Sequence, residues 1–270
     1  MATTFDDAIA LEHLEGNTFC GKTHPAFANM VGPFGGVTAA VMLNAVMLHE
    51  NRLGDPIALT VNFCAGVADG LFEVQASPAR TNRSTQHWVV QLLQAGEIVI
   101  TATVVTALRR DTWGDVEHTM PTVGLPTDYT VADLKGAIEW VRAYTMRPIT
   151  GFMPKVWDGV IQANSLSQIW LRDAQERPVD LTSLAAMCDI FFPRIFIRRP
   201  TRVPIGTVSF TVYFHYTTLE LIELSPPHSY MLAQAQGQNF RNGFFDQVGQ
   251  VWSESGALLA STHQTVYYKS

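Results

Sequence analysis

Two successive copies of one α+β unit, each a single buried helix wrapped by a curved antiparallel sheet, are predicted from three features of the chain. Two runs are apolar on nearly every face, Val37–Leu48 and Leu181–Phe192, and a helix without a polar face must be buried. Each is followed by runs rich in Val, Ile, Thr and aromatic residues, the composition of strands on a half-buried pleated surface. The two sets can also be laid on each other, as an internal repeat requires. Ala58-Leu-Thr60-Val-Asn-Phe63 sits beside Ile205-Gly-Thr207-Val-Ser-Phe210, and Gly96-Glu-Ile-Val-Ile-Thr-Ala-Thr-Val104 beside Gly256-Ala-Leu-Leu-Ala-Ser-Thr-His-Gln264. An eight-strand sandwich with incidental helices is the alternative.

The elements follow in order. A short strand around Asn17–Cys20 leads, and Phe34-Gly35-Gly36 opens the first helix. Strands are predicted at Ile57–Cys64, Leu71–Ser77 and His87–Gln94, with a fourth at Ile98–Leu108 after the turn Gly96-Glu97. From Arg109 to about Pro148 the chain turns polar and rich in Asp, Gly and Pro, which reads as a linker running into a short helix over Val131–Trp140. The second copy has a strand around Ser165–Leu171 and a helix that Asp180 caps and Pro193 stops. Strands at Gly206–His215, Ser229–Gln236, Phe244–Glu254 and Leu258–Tyr268 complete it. The division is therefore an N-terminal repeat over 1–110, a linker over 111–150 and a C-terminal repeat over 151–270.

Composition narrows the function. The 270 residues carry 18 Lys+Arg against 24 Asp+Glu, a formal net charge of −6, with 47% hydrophobic and 16% charged residues. A globular chain of this size buries about three quarters of its unfolded surface, so a substantial core is expected. The acidic balance lacks the footprint that nucleic-acid phosphates require. No apolar run approaches the ~18 residues of a membrane span, and the acidic start, Met1 to Asp7, is unlike a signal peptide. Three widely spaced cysteines fit neither a disulfide framework nor a zinc site and suit a reducing compartment. A cytoplasmic location is the expectation.

Chemistry is sought where the copies differ. Laying Thr38–Asn44 on Ser183–Asp189 sets Asn44, which cannot act as a base, opposite Asp189, a carboxylate inside an apolar helix. Such a group must be paired, hydrogen-bonded or turned toward water. Gln264 stands where the other copy has Val104, and Thr207 where it has Thr60. Asp, Thr and Gln around a water can thus be assembled in the second copy alone. Strict alternation in the Thr207 strand points Thr207 away from the apolar face, so it reaches Asp189 only through a bulge or bend near Gly206.

Met187-Cys-Asp189, Gly206-Thr207-Val-Ser-Phe-Thr-Val-Tyr-Phe-His215 and Ala260-Ser-Thr-His-Gln264 resemble the motifs of type II acyl-CoA thioesterases, proteins of double hotdog fold, and the resemblance spans nearly the whole chain. It implies hydrolysis of an acyl-CoA by direct attack of water, with Asp189 as general base and Thr207 and Gln264 orienting the water. No cofactor is implied beyond the CoA of the substrate. Gly35 and Gly36 would let the thioester approach the first helix, whose N-terminal amides suit a developing oxyanion. Arg198 and Arg199, flanked by Arg194 and Arg202, would meet the CoA phosphates. A homodimer or higher homo-oligomer is implied, without nucleic-acid or membrane partners. The family commonly has a Ser/His-containing strand after the first helix, where this chain has Leu59-Thr-Val-Asn-Phe63. It also has an Asp-His pair after the Thr, where this chain has Ser209-Phe210. The rival readings are an enoyl-CoA hydratase of related fold and a catalytically silent acyl-binding protein.

Overall fold

A computed structural model describes residues 2–269. The first half comprises α1 (Thr4–Ala8), β1 (Glu12–His13), β2 (Thr18–Lys22), α2 (Gly35–Met47), β3 (Asp55–Phe63), β4 (Leu71–Thr81), β5 (Thr85–Gln94) and β6 (Glu97–Ala107). The second begins with β7 (Tyr144–Thr150), β8 (Ser167–Asp173), α3 (Leu181–Met187), α4 (Arg194–Arg198) and β9 (Ile205–Phe214). It ends with α5 (Thr218–Leu224), β10 (Met231–Gln236), β11 (Phe240–Arg241), β12 (Phe244–Ser253) and β13 (Leu258–Tyr268).

All the strands form one antiparallel sheet in the order β1-β2-β4-β5-β6-β3-β9-β13-β12-β10-β8-β7, with β11 added on β12. Counting outward from the central β3–β9 pair, β3-β6-β5-β4-β2 in one half repeats as β9-β13-β12-β10-β8 in the other. A pseudo-two-fold axis passes between Thr60 and Thr211, which oppose each other with their hydroxyls 3.0 Å apart. This is the double hotdog architecture. The sheet curls around α2 and α3, which pack against each other. Ala39, Met42, Leu43 and Val46 of α2 and Ala185 and Met187 of α3 are wholly buried, as the all-apolar runs require.

The register corrects one pairing made from sequence. Val104 opposes Leu59 as Gln264 opposes Phe210, and a bulge between Pro56 and Ala58 repeats as one between Thr207 and Ser209. Pro56 is therefore the counterpart of Thr207, and Thr60 that of Thr211. Similar Thr-Val-x-Phe strings had suggested otherwise.

Two helix expectations are also corrected. Residues 131–140 form no α-helix; a short 3-10 turn spans Glu139–Ala143, and Gly136 at φ +73° breaks the run before it. The second central helix ends at Met187, not Phe192, so Asp189 lies just past its C-terminus. Pro193 lacks the N–H that would bond Asp189's carbonyl and biases Phe192 away from helical backbone. That bars helix at the end of the run; before it, the Asp189 and Ile190 amides already bond three residues back, to Ala186 and Met187, and the next helix, α4, starts from Pro193.

The stretch between the halves is well anchored. Arg109 donates to the carbonyls of Phe214 (2.6 Å) and His215 (3.2 Å). Met120, Val123 and Tyr129 cover Trp170, Leu232 and Trp252 on the outer sheet face, and the Trp170 indole donates to the Gly124 carbonyl at 3.0 Å. Strand β7 begins within the range that reads as linker.

Candidate active site

The site forms where α2 of one half meets the chain leaving α3 of the other. The 13-residue helix α2 starts at Gly35, and its N-cap residue Phe34 offers no side-chain acceptor. First-turn amides have no intrahelical partner, and the helix dipole concentrates positive potential there. Asp189, brought from the other half, fills the role: its carboxylate sits against the first turn, where the Gly36 N–H favours its charged form. The two glycines make this approach feasible. A Cβ on Gly35 would lie 2.7 Å from Asp189 Oδ2 and 3.4 Å from the Phe63 ring. One on Gly36 would lie 2.6 Å from the Ala186 carbonyl and 2.5 Å from Phe34.

The other oxygen of the carboxylate is held from the sheet. Gln264 Nε2 donates to Asp189 Oδ1 at 2.6 Å. Gln264 is buried on the inner face of β13, opposite Phe210, and turns inward because it alternates with exposed His263 and Thr265. Burial dominates the electrostatics and raises the Asp189 pKa to about 7, while the bonds from Gln264 and Gly36 pull it back down. Asp189 as a whole residue keeps partial exposure, while its carboxyl group is enclosed by its surroundings.

Thr207 arrives as the bulge expectation requires. It opposes Val266, and skipping Val208 puts it on the same face as Val266 and Gln264. Its hydroxyl makes no hydrogen bond to Asp189 or Gln264 among the described residues, so the direct link joins two of the three side chains. Asn44 has a structural task in the first half, donating to the Ile9 carbonyl at 2.8 Å.

The arginines divide. Arg194, wholly buried, is closed off from ligands. It donates to the Ser165 carbonyl (2.8 Å), the Ser167 hydroxyl (2.7 Å) and the carbonyls of Ala235 and Phe192, and burial lowers its pKa to about 9. Arg198 is half-buried with Nη1 buried and without a partner among the described residues. Arg199 and Arg202 are exposed, and Arg202 lies over the Trp157 ring. Sequence reasoning missed Tyr144, on unpredicted β7. Its buried phenol has its pKa raised by burial first and then by the charges of Asp173 and Asp189.

Residues 124–268 match the family described as the acyl-CoA thioesterase C-terminal domain, and residues 24–107 its N-terminal domain. Among solved structures, a conserved protein of unknown function with hot dog fold from Alicyclobacillus acidocaldarius is 43% identical, with a TM-score of 0.92, covering 100% of this chain and 99% of its own. The tesB protein of Mycobacterium avium subspecies paratuberculosis (15% identity, TM-score 0.79, 98% of each chain) and an acyl-CoA thioesterase II, TesB2, of Mycobacterium marinum (17%, 0.70, 98% of each chain) share the fold. No curated protein matches the chain.

Proposed function

Because the chain belongs to the acyl-CoA thioesterase family and is a thioesterase by that membership, we propose that it cleaves an acyl-CoA by direct attack of a water that Asp189 deprotonates. The observation that carries this reading is the carboxylate itself, held by Gln264 at 2.6 Å with a pKa raised to about 7. A base poised near neutrality is ionised for much of the time yet basic enough to accept a proton. An ordinary carboxylate near pH 4 is a much weaker base.

The steps balance without a covalent enzyme intermediate. Water bound at the free lone pairs of Asp189 loses a proton to the carboxylate as its oxygen bonds to the thioester carbon. The carbonyl electron pair moves to oxygen, where the first-turn amides of α2 next to Gly36 are available donors. Collapse of this intermediate breaks the C–S bond, and CoA departs as a thiolate that takes up the proton. Gln264 fixes the carboxylate; Thr207, on the same face, orients the water or the substrate. Arg198 and Arg199 are assigned to the CoA phosphates, supported by the unpartnered Nη1 of Arg198.

A hydratase reading calls for a histidine paired with the acid. The hydrogen-bond partners of Asp189 are an amide side chain and a backbone N–H instead. Thiol release and enoyl absorbance, followed together on a panel of acyl-CoAs, test the proposal. Free CoA should appear with stoichiometric acid; loss of enoyl absorbance without thiol, or no change at all, would overturn it. Single-turnover hydrolysis in ¹⁸O-water adds the mechanism: label should enter the acid in the first turnover, and unlabelled first-turnover acid would make Asp189 a nucleophile.

A further inference from the structure

The pseudo-symmetry that isolates Asp189 also isolates two residues that none of the steps above uses. Gln247 on β12 directly opposes Gln264 on β13, and Thr262 lies two residues from Gln264 on the same inner face. In the first half the matching register sets Trp88 opposite Val104, with Ala102 two residues away. All three of those are buried hydrophobic residues, the Trp88 indole N–H alone donating to Thr106 at 3.4 Å, whereas Gln247, Thr262 and Gln264, equally buried, are polar. Three polar groups have thus replaced an apolar patch in the half that carries the carboxylate.

Of the three, only Gln264 makes a side-chain hydrogen bond among the described residues. The Thr262 hydroxyl is buried without a partner; Gln247, 3% exposed, makes no side-chain hydrogen bond among the described residues, and its amide oxygen and nitrogen retain a little of that exposure. A primary amide has two donors and two acceptor lone pairs, and leaving such a group dry is unfavourable enough that buried polar atoms nearly always find a partner.

We propose that Gln247, assisted by Thr262, is a specificity residue that hydrogen-bonds an oxygen on the acyl group close to the thioester, so that the preferred substrate is a short acyl-CoA oxygenated at C3 rather than a plain alkyl one. This rests on the thioesterase reading above. The placement follows from spacing. Directly opposed side chains start about 5 Å apart, and the thioester carbon must come within about 3 Å of the water at Asp189. An amide one strand beyond Gln264 therefore meets substituents two or three bonds from the carbonyl. A site built around a hydrogen bond rejects the analogue lacking it far more strongly than a pocket distinguishes one methylene.

The test compares 3-hydroxybutyryl-CoA with butyryl-CoA by thiol release for the wild type, Gln247→Leu and Thr262→Val. Leu keeps the volume of the amide, and thermal melts verify folding; Gln247→Asn serves as a second variant if Leu does not fold. The wild type should favour the hydroxy ester in kcat/KM by tenfold or more, and Gln247→Leu or Gln247→Asn should lower that ratio about tenfold. Thr262→Val should lower it less. Hydrolysis of both esters with a ratio near one, or with a ratio unmoved by Gln247 substitution, overturns the inference alone. Absence of thiol release from every ester overturns the hydrolase reading together with it.

Discussion

Asp189 combines three influences that pull in different directions. Burial favours its neutral form, whereas the Gln264 amide and the Gly36 N–H favour the anion, and the net outcome is a pKa of about 7. The activity of the base should therefore rise as pH increases through about 7 in a kcat/KM profile. Gln264→Ala removes a bond that lowers the pKa, so its profile should move to higher pH, with kcat down by roughly 10²-fold or more if positioning is its role. An unshifted profile in a folded Gln264→Ala protein would contradict that role. The raised pKa also affects stability. A carboxyl whose folded pKa exceeds its unfolded value of about 4 favours the native state while protonated, and that contribution is lost as pH climbs from about 4 to 7. Asp189→Asn should accordingly melt above the wild type at pH 8, by about 2–4 °C for each kcal/mol gained, with the difference shrinking toward pH 4.

At the scale of elements, the N-terminus of α2 and the chain leaving α3 form the point where Gly35, Gly36 and Asp189 meet. Gly35→Ala would set a methyl 2.7 Å from Asp189 Oδ2, and steady-state kinetics should show kcat reduced by at least tenfold in a folded protein. Gly36→Ala faces a backbone carbonyl at 2.6 Å, which cannot swing aside, so thermal melts should show the larger loss of stability. Most of these elements were legible in the sequence. Helix α2 and strands β3 to β6 follow from apolar runs and alternation, whereas alternation alone turns Thr207 outward, and the bulge that turns it inward is seen only in the structure. The early end of α3 was not legible, because an apolar run reads equally as helix or as buried loop. Strand β7 was hidden in a Pro-rich stretch, and it carries Tyr144. Asp189 and Gln264 could be found by comparing the copies. The Gly36 contact could not, since it joins residues 153 positions apart and depends on how the two helices pack. Gln247 had a signal, the Trp88 at its counterpart, but only the true register reveals which residues to compare.

For the molecule as a whole, duplication lets one half become specialised while the other supplies support. The first half contributes the helix terminus that receives Asp189, together with Phe63 beside it. The second contributes the acid, the amide and the bulged strand. The halves share the β3–β9 pairing, the α2–α3 packing and an ion pair between Asp6 and Arg177 at 3.0 Å, so neither has a complete core alone. Residues 111–270 expressed separately should lack the near-UV CD and sharp melting transition of the full chain, and a cooperative melt would contradict this mutual dependence. The net charge of −6 gives an anionic CoA ester no overall attraction, so under the proposed reading the cations would have to be local, as proposed for Arg198 and Arg199. Thiol release by Asp189→Asn, measured at pH 8 beside its thermal melt, tests the central claim most directly. The account predicts a loss of 10²-fold or more in kcat in a protein that melts at or above the wild-type temperature; hydrolysis at the wild-type rate by the folded variant would contradict it.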